Sequence, residues 1–186
     1  MCGIVGYTGK QSVAKQILDA LELLEYRGYD SAGMAIVDET NGQVQIRKRA
    51  GRVADLEKVW KANPVNGICG IGHTRWATHG GVSDVNAHPH RAGRVTLVHN
   101  GIIENYQELK EKLLRKGYQF YSSTDTEVAV KLIDYYYKKY LGTPVDALNH
   151  AMVRIRGSYA LAVLFKDYPE EIFVARQDNP MIIGVA

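Results

Sequence analysis

The sequence lacks the features that mark membrane-inserted, secreted or disulfide-bonded proteins. No apolar run approaches the ~20 residues that a membrane-spanning helix needs. The N-terminus has neither the charged segment nor the apolar segment of a secretory signal peptide. Cys2 and Cys69 are the only cysteines, so no disulfide framework is expected. These absences predict a cytoplasmic protein without a membrane partner.

Charge of one sign is not concentrated in any part of the chain. The formal net charge is +3, and the basic residues are interspersed with acidic ones. Nucleic-acid-binding surfaces depend on clustered Lys and Arg, so no nucleic-acid partner is expected. No repeat or low-complexity tract appears either. The length of 186 residues and the hydrophobic fraction of 46% are sufficient for one domain with a buried core.

Hydrophobic periodicity divides the chain into alternating short strands and amphipathic helices. The predicted strands are "CGIVGY", "GMAIV", "VQIR", "GICGIGHTR", "VTLVHNG", "YQFYSS", "SYALAVLF", "EIFVAR" and "MIIGVA". The predicted helices lie at about 12–26, in "VADLEKVWKANP", at about 105–116, in "VAVKLIDYYYKKY" and at about 144–154. Thr124 and Glu127 match a capping box before the fourth helix.

The order of these elements predicts an α+β layered sandwich. Hairpins dominate, including one through Asn41 and Gly42, and clear βαβ crossovers are few. This pattern favours largely antiparallel sheets with helices packed outside them. The final segment is apolar and carries no polar tail, so we expect this chain to be a domain of a longer protein.

Cys2 directly follows the initiator methionine and is the first candidate for chemistry. Removal of Met1 would leave a thiol and a free α-amine on one residue, with ordinary pKa values of about 8.5 and about 8. The amine could then accept the thiol proton, as it does in enzymes with an N-terminal threonine nucleophile. The alternative is that Cys2 is a small strand residue without a chemical role.

An acyl-transfer reaction at Cys2 would need donors for the developing oxyanion. The "HNG" segment could supply them from the Asn100 side-chain amide and the Gly101 backbone N–H. The alternative is a plain hairpin turn, because Asn-Gly is a common tight-turn dipeptide. On the dipeptide alone, the hairpin turn is the better interpretation.

Substrate recognition would need charged side chains in the same pocket. Arg75 stands where a strand passes into a loop, and its planar fork suits a carboxylate. Asp125 could pair with an ammonium group. Together they would fit the two charged groups of a free amino acid, although a solvated surface position is the better interpretation of either residue alone.

Zinc binding is a competing explanation for the histidines. The possible set is Cys69, His73, His79, His88 and His90. Its members do not show the paired short spacings of structural zinc sites. The pattern instead favours histidines in the pocket wall and its loop, Cys69 in the core, and packing roles for the tyrosines at 135–137.

Six motifs occur in an order that resembles a known family. They are "MCGIVGY", "LEYRGYDSAG", "GHTRWATHG", "NAHPH", "VHNGIIEN" and "TDTEV". The set resembles the glutaminase domains of the glutamine–fructose-6-phosphate aminotransferase family, which are class II glutamine amidotransferases. The resemblance covers essentially all of residues 1–186. It implies a four-layer αββα sandwich of two mainly antiparallel sheets, the N-terminal-nucleophile hydrolase fold.

The resemblance also implies catalytic roles. Cys2 would be the nucleophile with its α-amine as base, and Asn100 and Gly101 would form the oxyanion hole. Arg27 would support the surroundings of the nucleophile without reacting. No metal or organic cofactor would be needed.

Substrate-binding roles follow from the same resemblance. Arg75 would hold the α-carboxylate of L-glutamine, helped by Thr78 and His79, and Asp125 would hold the α-ammonium. Trp76 would lie in a loop that folds over bound glutamine.

The resemblance implies a larger parent enzyme, a homo-oligomer in the cytoplasm. Its C-terminal sugar-phosphate isomerase domains, absent from this chain, would accept the ammonia and convert fructose 6-phosphate to glucosamine 6-phosphate, the first step of amino-sugar biosynthesis. "EYRGYDSAG" favours this acceptor, since phosphoribosyl-pyrophosphate amidotransferases and asparagine synthetases carry different residues there. The alternative function is a regulatory module that binds glutamine with an idle catalytic apparatus.

Overall fold

The computed structural model describes residues 2–77 and 80–185. The strands are β1 (Gly3–Thr8), β2 (Ser31–Val37), β3 (Val44–Ala50), β4 (Cys69–Arg75), β5 (His90–Ala92), β6 (Val95–Gly101), β7 (Tyr159–Phe165) and β8 (Phe173–Gln177). The helices are α1 (Val13–Leu24), α2 (Val53–Ala62), α3 (Tyr106–Leu114), α4 (Asp125–Tyr140) and α5 (Pro144–Met152), with a 3₁₀ turn at Glu25–Arg27. No described helix is both long enough and apolar enough to cross a bilayer.

The eight strands form two four-stranded sheets. The first has the order β1-β4-β2-β3 and the second β5-β6-β7-β8, and every neighbouring pair is antiparallel. The predicted hairpin between β2 and β3 is confirmed, since the Gly42 N–H donates to the Asp38 carbonyl at 2.8 Å. The β1–β4 register pairs Gly3 with Thr74, so the start of β1 and the end of β4 lie at the same end of the sheet.

The sheets pack face to face and each carries helices on its outer side. Ile71 and Cys69 of the first sheet meet Val98 and Leu164 of the second in a shared apolar layer. The helices α1 and α2 cover the outside of the first sheet, while α3, α4 and α5 cover the second. Central strands such as β2, β4 and β7 are buried along their whole length because both of their faces are covered. The predicted four-layer α+β sandwich is confirmed.

The predicted capping box before α4 is only half present. The Thr124 hydroxyl accepts the Glu127 backbone N–H at 3.2 Å, as expected for an N-cap. The Glu127 carboxylate does not return to Thr124. It accepts the backbone N–H groups of Tyr121 and Ser122 at 2.9 Å and 2.6 Å.

Two predicted strands are wrong and one short strand was not predicted. "YQFYSS" forms no sheet ladder, because two of its backbone donors are taken by the buried Glu127 carboxylate. "MIIGVA" is not a strand over its described residues 181–185, where Ile182 and Val185 are almost fully exposed and pair with no neighbouring strand. The strand β5 has three residues, too few for a periodic pattern to reveal.

Candidate active site

A cleft of about 1710 Å³ opens where β1, β4, β6 and α4 come together. The sequence-predicted residues that line it are Cys2, Arg27, Arg75, Trp76, Asn100, Gly101 and Asp125. The topology explains this convergence, since the start of β1, the end of β4 and the end of β6 meet at the start of α4. The predicted Thr78 and His79 lie outside the described residues.

The Cys2 thiol is held against the backbone of Trp76. The sulfur accepts the Trp76 N–H at 3.1 Å and lies 3.5 Å from the Trp76 carbonyl oxygen, to which it can donate. Burial raises the pKa of the Cys2 thiol, and the Trp76 N–H opposes this effect only in part. The thiol is therefore protonated at neutral pH, so attack by its sulfur requires a base.

The Asn100 amide faces Cys2 from the other sheet. Its Nδ2 donates to the Cys2 carbonyl oxygen at 3.2 Å, and its Oδ1 lies 2.8 Å from Nε2 of His73. Asn100 and Gly101 are the last residues of β6 and pair with Ala160 and Tyr159 of β7. The hairpin-turn interpretation of this Asn-Gly pair is therefore wrong.

Gly101 occupies a backbone position that only glycine fits. Its φ is +120°, and a β-carbon there would lie 2.0 Å from the Ser158 carbonyl oxygen. The absence of a side chain lets the two strands approach closely at the floor of the cleft.

Arg75 is buried, with a relative exposure of 4%, so the surface interpretation of this residue is wrong. Its guanidinium donates to the carbonyls of Gly80 and Gly81 at 3.0 Å and 3.2 Å and lies 3.9 Å from the Asp30 carboxylate. Arg75 thus places a positive charge in the cleft and shapes the segment that follows β4.

Asp125 is also 4% exposed, so a surface role is excluded for it too. It is the first residue of α4, and its Oδ2 accepts the Ile103 backbone N–H at 2.9 Å. This bond joins the start of α4 to the chain just beyond β6. Among the described residues, the lining of the cleft therefore includes a buried cation, Arg75, and a buried anion, Asp125.

Four histidines, from β4, β5, β6 and the segment before β5, form a buried cluster beside the start of α4. They are His73, His88, His90 and His99. Burial lowers the pKa of His73 to about 3, and burial also holds the pKa of His88 and His90 well below the usual value. Cys69 lies apart from the cluster, in the apolar layer between the sheets. Among residues 2–77 and 80–185, no three His, Cys, Asp or Glu side chains are arranged to hold a metal ion.

Sequence reasoning gave no role to Asp30, which organises the rim of the cleft. Its carboxylate accepts the Ala77 backbone N–H and, at 2.7 Å, the Ser31 hydroxyl. Its own N–H donates to the Arg75 carbonyl at 2.7 Å. The motif "YRGYD" contains Asp30, but nothing local to the motif indicates contact with a segment 47 positions away.

Asn86 is a second residue of the site to which sequence reasoning gave no role. Its Nδ2 donates to the Gly81 carbonyl at 2.9 Å, and its Oδ1 accepts the Ser123 backbone N–H at 3.1 Å. It thereby ties the segment after β4 to the approach to α4.

Solved structures with the same architecture define the class as N-terminal-nucleophile amidotransferases. A glutamine phosphoribosylpyrophosphate amidotransferase from B. subtilis superposes with a TM-score of 0.70 at 28% identity, over 94% of this chain and 36% of that one. An allosteric regulatory enzyme of purine biosynthesis gives a TM-score of 0.75 at 29% identity, over 89% of this chain and 36% of that one. A glutamine aminotransferase class-II domain protein from Silicibacter pomeroyi shares the fold, with a TM-score of 0.63 at 17% identity, over 98% of this chain and 79% of that one.

Within that class, the profile of the glutamine amidotransferase domain family matches residues 74–184, and this chain belongs to that family. Its similar curated relatives include glutamine–fructose-6-phosphate aminotransferases (isomerizing) from Clostridium perfringens, 49% identical, and Pyrococcus horikoshii, 50% identical. Both alignments cover 100% of this chain. The chain spans 30% and 31% of the length of these relatives.

Proposed function

We propose that this chain is a glutaminase that hydrolyses L-glutamine to glutamate and ammonia through a γ-glutamyl thioester on Cys2. One observation carries the proposal: the Asn100 amide donates to the backbone of Cys2 inside one cleft, although the two residues are 98 positions apart. This contact supports the proposal, because the thiol and the oriented amide donor are close enough for one substrate carbonyl to meet both.

The reaction needs a base because burial keeps the Cys2 thiol protonated. After removal of Met1, which lies outside the described residues, the α-amine of Cys2 would accept the thiol proton. Sulfur then bonds to the side-chain carbonyl carbon of glutamine. The Asn100 amide and the Gly101 N–H stabilise the oxyanion of the tetrahedral intermediate.

Collapse of the intermediate breaks the carbon–nitrogen bond. The protonated amine donates its proton to the leaving nitrogen, so ammonia departs and a thioester remains. Water then gives one proton to the amine and bonds to the thioester carbon, which releases glutamate and returns the sulfur to its thiol form. No metal or organic cofactor enters any step.

Recognition of glutamine would use the two buried charges of the cleft. Arg75, helped by Thr78 and His79, would pair with the α-carboxylate, and Asp125 would pair with the α-ammonium. Trp76 would lie in the loop that folds over the bound substrate. Arg27 would support the wall beside Cys2. The burial of Arg75 and Asp125 supports these roles, because an ion pair formed away from water is screened less than one at the surface.

The fate of the ammonia is proposed from the relatives. They are about three times as long as this chain and are named for fructose 6-phosphate. We infer that residues 1–186 are the glutaminase domain of such an enzyme, a cytoplasmic homo-oligomer, and that its isomerase domains use the ammonia to form glucosamine 6-phosphate. This chain alone would release free ammonia.

The test is ammonia release from glutamine by the 186-residue chain and by two cysteine variants. Cys2→Ala should abolish release, whereas Cys69→Ala should retain it, because burial in the apolar layer raises the pKa of Cys69 to about 11. A thiol-reactive glutamine analogue should label Cys2 and leave Cys69 unmodified. An extra residue ahead of Cys2 should also abolish release, because the amine would then be in a peptide bond.

The competing function is a glutamine-binding module without turnover. Calorimetric binding of glutamine with no ammonia release by the wild-type chain would establish that alternative. Full activity of Cys2→Ala would contradict the thioester mechanism.

A further inference from the structure

We propose that His73 is a positioning residue that fixes the orientation of the Asn100 amide through a hydrogen bond from Nε2–H to Oδ1. The inference deepens the proposed glutaminase function and rests on it. His73 lies in the middle of β4 and is fully buried, and within the described part of the chain its ring bonds to Asn100 and not to Cys2. It would act on the reaction only through Asn100.

The orientation of the Asn100 amide decides whether it can serve as an oxyanion donor. Its NH₂ group faces the Cys2 carbonyl at 3.2 Å, and this carbonyl can only accept. One N–H of the amide is used there, which leaves the second for the oxyanion. A flipped amide would aim an oxygen at Cys2 and at the developing negative charge, so it would repel both.

The other end of the amide shows how the flip is prevented. Asn100 Oδ1 accepts and cannot donate, so the 2.8 Å contact requires a proton on Nε2 of His73. The other ring nitrogen, Nδ1, is buried and makes no hydrogen bond of good geometry within the described part of the chain, although the His99 backbone lies near the ring. The orientation of the amide, which the Cys2 carbonyl sets, therefore decides the tautomer and selects Nε2–H.

The surroundings hold the His73 ring in place. The ring of His88 stacks on it with a centroid distance of 4.2 Å. His88 is in turn fixed by the Thr126 hydroxyl, 3.0 Å from its Nε2, and by the His99 backbone N–H, 3.4 Å from its Nδ1. The His99 ring Nδ1 lies 3.0 Å from the same Thr126 hydroxyl. Rotation of the His73 ring would break this packed arrangement.

The first experiment measures kcat and KM for glutamine hydrolysis in His73→Leu and His73→Gln. Leucine removes the donor, and we expect kcat to fall ~10²-fold, as for loss of one oriented oxyanion donor, with KM changed less than ~3-fold. Glutamine carries an amide N–H near the position of Nε2, so His73→Gln should recover at least ~10-fold of the lost kcat.

A double-mutant cycle separates positioning from general damage. In an Asn100→Ala background there is no amide to orient, so His73→Leu should lower kcat by less than ~3-fold. An equal loss of kcat in both backgrounds would overturn the proposal, because His73 would then act through another group.

A measurement that needs no turnover completes the test. In Cys2→Ala protein with ¹⁵N-labelled histidine, NMR should show the neutral Nε2–H tautomer of His73 from about pH 5 to about pH 8. A proton on Nδ1 would overturn the proposal even if the variants lose activity. If the wild-type chain binds glutamine without releasing ammonia, the glutaminase function fails, and the tautomer still decides whether His73 orients the amide.

Discussion

The ring of Trp76 lies directly against the backbone of Gly28. A β-carbon built on Gly28 would be 2.6 Å from Cε3 of Trp76, and the φ of Gly28 is +105°. Glycine therefore makes room for the indole, which is itself 54% exposed at the edge of the cleft. The "RGY" turn thus helps to set the position of the residue whose backbone contacts the Cys2 sulfur.

We predict that Gly28→Ala displaces the Trp76 side chain. KM for glutamine should rise ~3- to 10-fold, because the indole can no longer occupy its place beside the cleft. Trp76 fluorescence, followed in a Trp60→Phe background, should shift on substitution. Gly42→Ala is the matched control, since Gly42 has φ +65° and a β-carbon there would meet nothing within 4 Å. An unchanged KM and spectrum in Gly28→Ala would contradict this prediction.

A second prediction concerns the floor of the cleft. Gly101→Ala should lower the free energy of unfolding by more than ~3 kcal/mol, because the new β-carbon would lie 2.0 Å from the Ser158 carbonyl oxygen in addition to the strained φ of +120°. Gly117→Ala tests the backbone strain alone, since Gly117 has φ +87° and a β-carbon there would meet nothing within 4 Å, and it should lower the free energy of unfolding by about 1 kcal/mol. Urea denaturation compares the two variants. Equal losses would show that the close strand approach is unimportant.

A third prediction tests the ammonium partner. Asp125→Asn keeps an oxygen for the Ile103 N–H but removes the charge, so kcat/KM for glutamine should fall ~10- to 100-fold, as for loss of a hydrogen bond to a charged group. 4-Carbamoylbutanoate lacks the α-ammonium, and its kcat/KM should change less than ~3-fold in the same variant. A similar loss for both substrates would argue that Asp125 acts only on the fold.

A fourth prediction follows from the buried histidines. Burial lowers the pKa of His73 to about 3 and also holds those of His88 and His90 well below 6.5. Below about pH 6.5 these histidines bind protons in the unfolded chain but stay neutral in the folded one. The free energy of unfolding should therefore fall as the pH falls. The slope should approach ~1.4 kcal/mol per pH unit for each histidine, or ~4 kcal/mol for three.

Urea denaturation between about pH 7 and pH 5 measures this slope, in a range above the ordinary titration of carboxylates. His90→Gln should reduce the slope by the contribution of one histidine, ~1.4 kcal/mol per pH unit. A free energy of unfolding that is independent of pH in this range would show that these histidines bind protons equally well in the folded and unfolded chain.

The two Asn-Gly pairs show the limit of predicting structure from a short local sequence. At Asn41–Gly42 the dipeptide is a hairpin turn, as the pattern predicts, with Gly42 at φ +65°. At Asn100–Gly101 the same dipeptide forms the end of β6, which is paired with β7, and lines the cleft. Nothing within a few residues distinguishes the two cases, because the difference is the presence of β7 alongside. The resemblance of whole motifs, rather than the dipeptide, identified the second pair as part of a site.

Strand and helix periodicity predicted most elements of the fold because each sheet is covered on both sides and each helix buries one face. It failed at "YQFYSS", where a buried carboxylate takes the backbone donors that a strand would need. The role of His73 was beyond sequence reasoning for a related reason. Its partner, Asn100, comes from the other sheet, and only the stacking of the sheets brings them together.

The Cys2 sulfur contacts both the N–H and the carbonyl oxygen of Trp76, so its reactivity depends on the position of the Trp76 backbone. If the Trp76 backbone moves away from Cys2, the sulfur loses a hydrogen-bond donor and becomes more accessible to solvent at the same time. The rate at which a small, uncharged alkylating agent modifies Cys2 would therefore report how often the Trp76 backbone moves away from the sulfur.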